Sequence, residues 1–171
     1  GGDFFDYFWL EGEPRRLGVV VGDVAGKAMS AAMNAVMSDG MVFSRARQAG
    51  SVEEIMCSLN RSIHHKVGAR MFTALCLVVL DPAIRELTFA NAGLCEPLHR
   101  SDDSTEYLSS PGARFPLGAV RDATYESRTL TLAPGDVVVL FSDGNYPVGT
   151  PCKGSAICLH QWRRPHYPTE G

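Results

Sequence analysis

Two strongly β-branched runs that each stop at an aspartate constrain this chain more than any other feature. One is Leu17-Gly-Val-Val-Val-Gly-Asp23; the other is Val137-Val-Val-Leu-Phe-Ser-Asp143, followed by Gly144. Short apolar runs of this kind read as buried strands, so each carboxylate is expected at a strand end, rigidly held. A third carboxylate, Asp3, stands in Gly-Gly-Asp-Phe-Phe-Asp at the start of the chain. For any one of them, Asp-Gly turn chemistry is the simpler account. Repetition of the design points instead to convergence. Carboxylates brought together repel one another unless positive charge lies between them, and hard divalent cations with oxygen ligands supply that charge.

The 171 residues suit one domain or a large part of one, with ordinary hydrophobic (45%) and charged (20%) fractions. Net charge is −3, with a pI near 5.9, and the arginines are scattered, so nucleic acid is not an expected partner. The longest apolar run, Leu75 to Leu80, is strand-sized and far too short to cross a membrane. Five cysteines without framework spacing fit a reducing cytoplasm. Cys76, inside a strand, reads as a small core residue. The chain begins inside a motif and without Met, which leads us to expect that earlier strands are missing.

Leu17 to Val21 is the first clear strand. A long helix opens at Gly26-Lys27, with Met29, Met33, Val36, Met37, Met41 and Val42 at helical spacing, read as its core face. Ser51 and Glu54 form a capping box for a second helix with Ile55, Met56, Leu59 and Ile63 on one side. His64 and His65 fall in its last turn, where they suit the helix dipole better than a shared metal ion. The pattern then turns to β: Met71 to Leu80, Glu86 to Asn91, a short extension from Glu96 to Arg100, Tyr107-Leu108, the alternating Tyr125 to Leu132, and Val137 to Phe141. After Asn145 the rhythm stops, and residues 146–171 carry Pro147, Pro151, Pro165 and Pro168 without readable periodicity. Cys152, Cys158, His160 and His166 do not have the spacing of a zinc site.

The segments Gly-Gly-Asp-Phe-Phe-Asp-Tyr-Phe (1–8), Leu-Gly-Val-Val-Val-Gly-Asp-Val-Ala-Gly-Lys (17–27), Met-Phe-Thr-Ala-Leu (71–75) and Leu-Asp-Pro (80–82) are in register with a family pattern. Leu-Thr-Phe-Ala-Asn-Ala-Gly (87–93), Phe-Pro-Leu-Gly (115–118) and Leu-Ala-Pro-Gly-Asp-Val-Val-Val-Leu-Phe-Ser-Asp-Gly (132–144) continue it. Together they resemble the SpoIIE-like (RsbU-type) branch of the metal-dependent PPM (PP2C-type) serine/threonine phosphatases over residues 1–144. The resemblance implies an α+β fold of PP2C-like αββα type, an antiparallel β-sandwich flanked by helices, here incomplete at both ends. Residues 145–171 are then an atypical tail, non-native or irregular.

The resemblance further implies two Mn²⁺ or Mg²⁺ ions. Asp23 would bridge both, beside the Val24 main-chain carbonyl, with Asp3 and Asp143 as further ligands. Asp6 and Gly144 would support the site or offer an alternative ligand. A metal-activated water would hydrolyse phosphoserine or phosphothreonine on a regulatory protein of the anti-anti-sigma type. No cysteine nucleophile is called for. An upstream sensory domain and a homodimer are compatible with the same family. Leu94 stands where the family has a histidine after Asn-Ala-Gly, Ala28 replaces a small glycine, and no aspartate follows Asp143. These departures carry the alternative: a catalytically impaired pseudophosphatase that binds phosphoproteins as a regulatory module.

Overall fold

The computed structural model describes residues 2–12, 14–26, 28–46, 50–67, 71–102, 104–142 and 156–160. Strands β1 (Asp3–Trp9) and β2 (Leu17–Val24) precede helices α1 (Ala28–Ala46) and α2 (Val52–Val67). Seven strands follow: β3 (Thr73–Asp81), β4 (Glu86–Ala92), β5 (Leu98–Arg100), β6 (Thr105–Tyr107), β7 (Arg128–Thr131), β8 (Val137–Phe141) and β9 (Ala156–His160). They form two sheets, ordered β1-β2-β3-β4-β7 and β6-β5-β8-β9, with every pair antiparallel.

Strand alternation divides the interior into two layers. On one face of the larger sheet Val20, Leu75, Leu77, Val79 and Ala90 pack beneath Val42 of α1 and Ile55, Met56, Leu59 and Ile63 of α2. On the other, Val19, Val21, Cys76, Val78 and Phe89 meet Val138 and Leu140 of the second sheet. The sandwich flanked by helices matches the sequence expectation; among the described residues the helices cover one sheet only. β2 and β3 are covered on both faces, which explains why they read as continuous apolar runs. Cys76 is fully buried, and burial pushes its thiol up to about 12, consistent with a core role.

The capping box is present: Glu54 N–H donates to Ser51 Oγ (3.2 Å), and Ser51 N–H to Glu54 Oε2 (2.9 Å). α2 buries the four residues expected of it. α1 uses only the C-terminal part of the face expected of it: Val42 is buried and Met41 packs against the core. Met29, Met33 and Val36 are 73%, 66% and 75% exposed, and the first turns of the helix bury Ala31, Ala35 and Ser38 instead, with Ala46 buried at its end. With Val42, these recur at three- and four-residue intervals like the larger residues, and the small ones let the helix lie close to the sheet. Ser38 and Thr73 hydroxyls meet at 3.4 Å in that contact.

Two further differences concern strand extent. The alternating stretch 125–132 forms a ladder only over Arg128–Thr131; Tyr125 turns into the helix-side core, its hydroxyl donating to Phe115 O at 3.0 Å. Within the region read as lacking rhythm, residues 156–160 form β9, paired with all of β8.

Candidate metal centre

β1 and β2 place Asp3 directly opposite Asp23. Val24 N–H donates to Gly2 O at 3.1 Å, which makes residues 2 and 24 a hydrogen-bonded pair of the antiparallel ladder. The next pair, Asp3 and Asp23, is therefore of the non-hydrogen-bonded kind, with Cα atoms about 4.5 Å apart and side chains at their closest. Two carboxylates in that position destabilise the ladder unless a cation lies between them. Both leave the face shared with Val19 and Val21, toward the second sheet. Asp3 is exposed and Asp23 half-buried, so the pair opens to solvent.

Gly2 explains why the motif starts with small residues. A Cβ there would stand 2.3 Å from the Val24 carbonyl oxygen. Only glycine lets β1 lie against that carbonyl, beside the carboxylate pair. The donor set, two carboxylates and a neighbouring main-chain oxygen, suits a hard divalent cation. Asp143 and Gly144 lie outside the described residues. Ser142, just before them, is buried and its Oγ meets no hydrogen-bond partner among the described residues. Among the described residues no group of three or more His, Cys, Asp or Glu side chains is assembled.

Asp6 is not brought to this pair. It is three residues from Asp3 in an unbulged strand, so its side chain leaves the opposite face, toward α1. There Phe4 and Phe8 lie over the bare glycines of β2, since a Cβ at Gly22 or Gly18 would meet their rings at 2.5 and 2.4 Å. Asp6 stands between them and faces Asp39 of α1. Burial first, and then the charge of Asp6, hold the Asp39 carboxyl above the usual carboxylate range. The Asp39 Oδ1 is buried without a hydrogen-bond partner among the described residues.

Ala74 of β3 is opposite Asp23 on the side away from Asp3. It forms part of a cavity of about 430 Å³ whose lining includes Gly93, Leu94, Cys95, Glu96, Tyr107 and Arg114. Asn91 shapes its edge: its Oδ1 accepts from Leu94 N–H (2.8 Å), and its Nδ2 donates to the Leu94 (3.0 Å) and Cys95 (3.2 Å) carbonyls. Leu94 is buried in the inter-sheet core. Sequence reasoning missed Glu96, Tyr107 and Arg114, which lie in segments without periodicity. Asn-Ala-Gly at the end of a strand was the available signal.

α2 supports the neighbouring loop. Asn60 is fully buried, donating to Val120 O and Arg121 O (each 2.9 Å) and accepting from Gly118 N–H (2.8 Å). His64 Nδ1 meets Gly118 O at 2.8 Å. Leu117 and Thr73 exchange both main-chain hydrogen bonds (2.8 and 2.9 Å), so this loop is tied to the start of β3.

Residues 13–150 match the family model described as Stage II sporulation protein E (SpoIIE). The phosphoserine phosphatase RsbU of Bacillus subtilis (strain 168) is 25% identical over 139 residues, covering 81% of this chain and 42% of RsbU. Among solved structures, the RsbU and RsbW domains of Rv1364c from Mycobacterium tuberculosis superpose with a TM-score of 0.73 at 28% identity, covering 84% of this chain and 39% of that one. The PP2C phosphatase domain with a fragment of the regulatory domain of SpoIIE from Bacillus subtilis gives a TM-score of 0.73 at 16% identity, over 84% of this chain and 42% of that one; at that identity the likeness concerns the fold. The chain thus spans less than half the length of these relatives.

Proposed function

The chain belongs to the SpoIIE family, the RsbU-type branch of the PPM phosphatases, and on that premise we propose that it is a metal-dependent protein serine/threonine phosphatase. The observation that carries the reading is the pairing of Asp3 with Asp23 at the solvent end of the sandwich. Asp3, Asp23, the Val24 carbonyl and Asp143 would hold two divalent cations, Mn²⁺ or Mg²⁺. When bound, such ions make water a competent nucleophile near neutral pH and offset phosphoryl charge.

The protein's own contribution is placement. Hydrogen-bonded strands hold Asp3 and Asp23 opposite one another on one face of the sheet. Gly2 keeps β1 close to the Val24 carbonyl. The cavity over Ala74 provides room beside the pair for the substrate chain. The substrate in this reading is a phosphorylated regulatory protein of the anti-anti-sigma type, and the setting is cytoplasmic; no helix among the described residues is long and apolar enough to cross a membrane. Leu94 favours a second reading, a phosphoprotein-binding module with little or no hydrolysis. It places an inert, buried side chain where the family pattern has an imidazole.

Mn²⁺-dependent turnover of a phosphatase dye substrate tests the proposal. The wild-type chain is expected to turn over only with metal, and Asp23→Asn to lose the activity while keeping its thermal transition. Wild-type turnover that persists in chelator, or in Asp23→Asn, refutes the assignment. Phosphopeptide binding without turnover establishes the second reading.

A further inference from the structure

Asp3, Asp23 and Ala74 stand side by side on three adjacent strands and on one face. Strands are spaced about 4.8 Å apart, so the floor of the cavity begins about 5 Å from Asp23 and about 10 Å from Asp3. An extended peptide advances about 3.3 Å per residue. A chain whose phosphorylated side chain sits over the two aspartates therefore reaches the cavity within two or three residues.

The walls and rim differ in chemistry. Leu94 is apolar and buried, and Tyr107 presents an exposed ring. Arg114 and Glu96 form an ion pair at 3.3 Å, both partly exposed. The same Glu96 Oε1 accepts from Ser110 N–H at 3.3 Å, so one oxygen anchors the loop and also orients the guanidinium. Arginine carries five donors in a rigid fork. Among the described residues Glu96 engages one of its terminal nitrogens, which leaves a face of the fork suited to a carboxylate.

We propose that this cavity is a specificity subsite for the phosphoprotein substrate, in which Arg114 binds an acidic side chain two or three residues from the phosphorylated one. The inference rests on the phosphatase reading above and adds the class of sequence that the site selects. Glu96 is a positioning residue: it fixes the guanidinium without touching substrate.

Binding is measured on the full chain with Mn²⁺, by fluorescence anisotropy. The probes are peptides bearing a non-hydrolysable phosphonate analogue of phosphoserine, with Glu or Lys two or three residues to either side. On one side, the Glu peptide is expected to bind at least about fivefold more tightly than the Lys peptide. Arg114→Ala should abolish that preference and Arg114→Glu should reverse it, a gain that misfolding cannot produce. A smaller wild-type preference on both sides, no binding at all, or a preference that survives Arg114→Ala overturns the proposal. Dye-substrate turnover by the wild-type chain, measured in parallel, reports the metal centre alone. Its absence would sink the phosphatase reading and leave the peptide discrimination to be judged separately.

Discussion

Replacing Gly2 by alanine tests the geometry of the carboxylate pair without touching a charge. The new Cβ would stand 2.3 Å from the Val24 oxygen, 3.0 Å from its nitrogen and 3.1 Å from its carbonyl carbon. An ordinary carbon–oxygen contact needs about 1 Å more, and the atoms in the way are backbone, so β1 must withdraw from β2 at this rung. Overpacking of this kind costs about 1–3 kcal/mol. Loss of the Val24 N–H to Gly2 O bond (3.1 Å) adds about 1 kcal/mol. For a domain of this size, a total near 3 kcal/mol lowers Tm by about 6–12 °C. The withdrawal carries Asp3 away from Asp23 by a similar distance, and a misplacement of about 1 Å in a catalytic constellation costs on the order of 10²-fold in rate. The assay pairs a thermal melt with Mn²⁺-dependent dye turnover in Gly2→Ala and in Gly40→Ala. At Gly40 an added Cβ meets nothing within 4 Å, so no loss of stability is expected there. A Gly2→Ala protein that melts and turns over like wild type would refute the close approach and with it the shared role of the Val24 carbonyl.

Three further outcomes follow from the packing. Asn60→Ala strands the Gly118 N–H and the Val120 and Arg121 carbonyls; urea unfolding should show a loss of about 3 kcal/mol with an unchanged m-value. Asp39 has a raised carboxyl pKa, so its penalty is absent below the usual carboxylate value of 3.8 and fully present above the raised folded value. Asp39→Asn should therefore be more stable than wild type at neutral pH, by about 0.5 kcal/mol after solvent screening, with the gap closing as pH falls through that window; a constant gap would contradict it. Met33→Gln on the exposed face of α1 should change stability by no more than about 0.5 kcal/mol, whereas a core methionine would cost several times as much in the same melt.

Local rules were enough for β2 and β8, for the Ser51–Glu54 cap and for the buried face of α2. Each rests on neighbours within a turn or along one strand, and a β-branched run covered on both faces has few other ways to be satisfied. Asp23 was conspicuous for the same reason, as the carboxylate near the end of such a run. What the aspartates do to one another was not legible. Asp3 faces Asp23 because of the register between β1 and β2, and a shift of one residue would have sent Asp3 to the helix side and Asp6 toward the second sheet. The spacing of Asp3 and Asp6 fits either assignment until pairing decides it. On α1, Met29, Met33 and Val36 share the helical period with Ala31, Ala35 and Ser38, so the pattern contains two candidate inner faces. Hydrophobicity favours the methionines, but the surface of β1 and β2, with Thr73 at its edge, admits a close helix, and the smaller residues fit it. The cavity of Glu96, Tyr107 and Arg114 lies further from any local rule. Its residues come from β6 and from two separate loops, and only the folding of the second sheet against the first brings them beside Ala74, the register partner of Asp23.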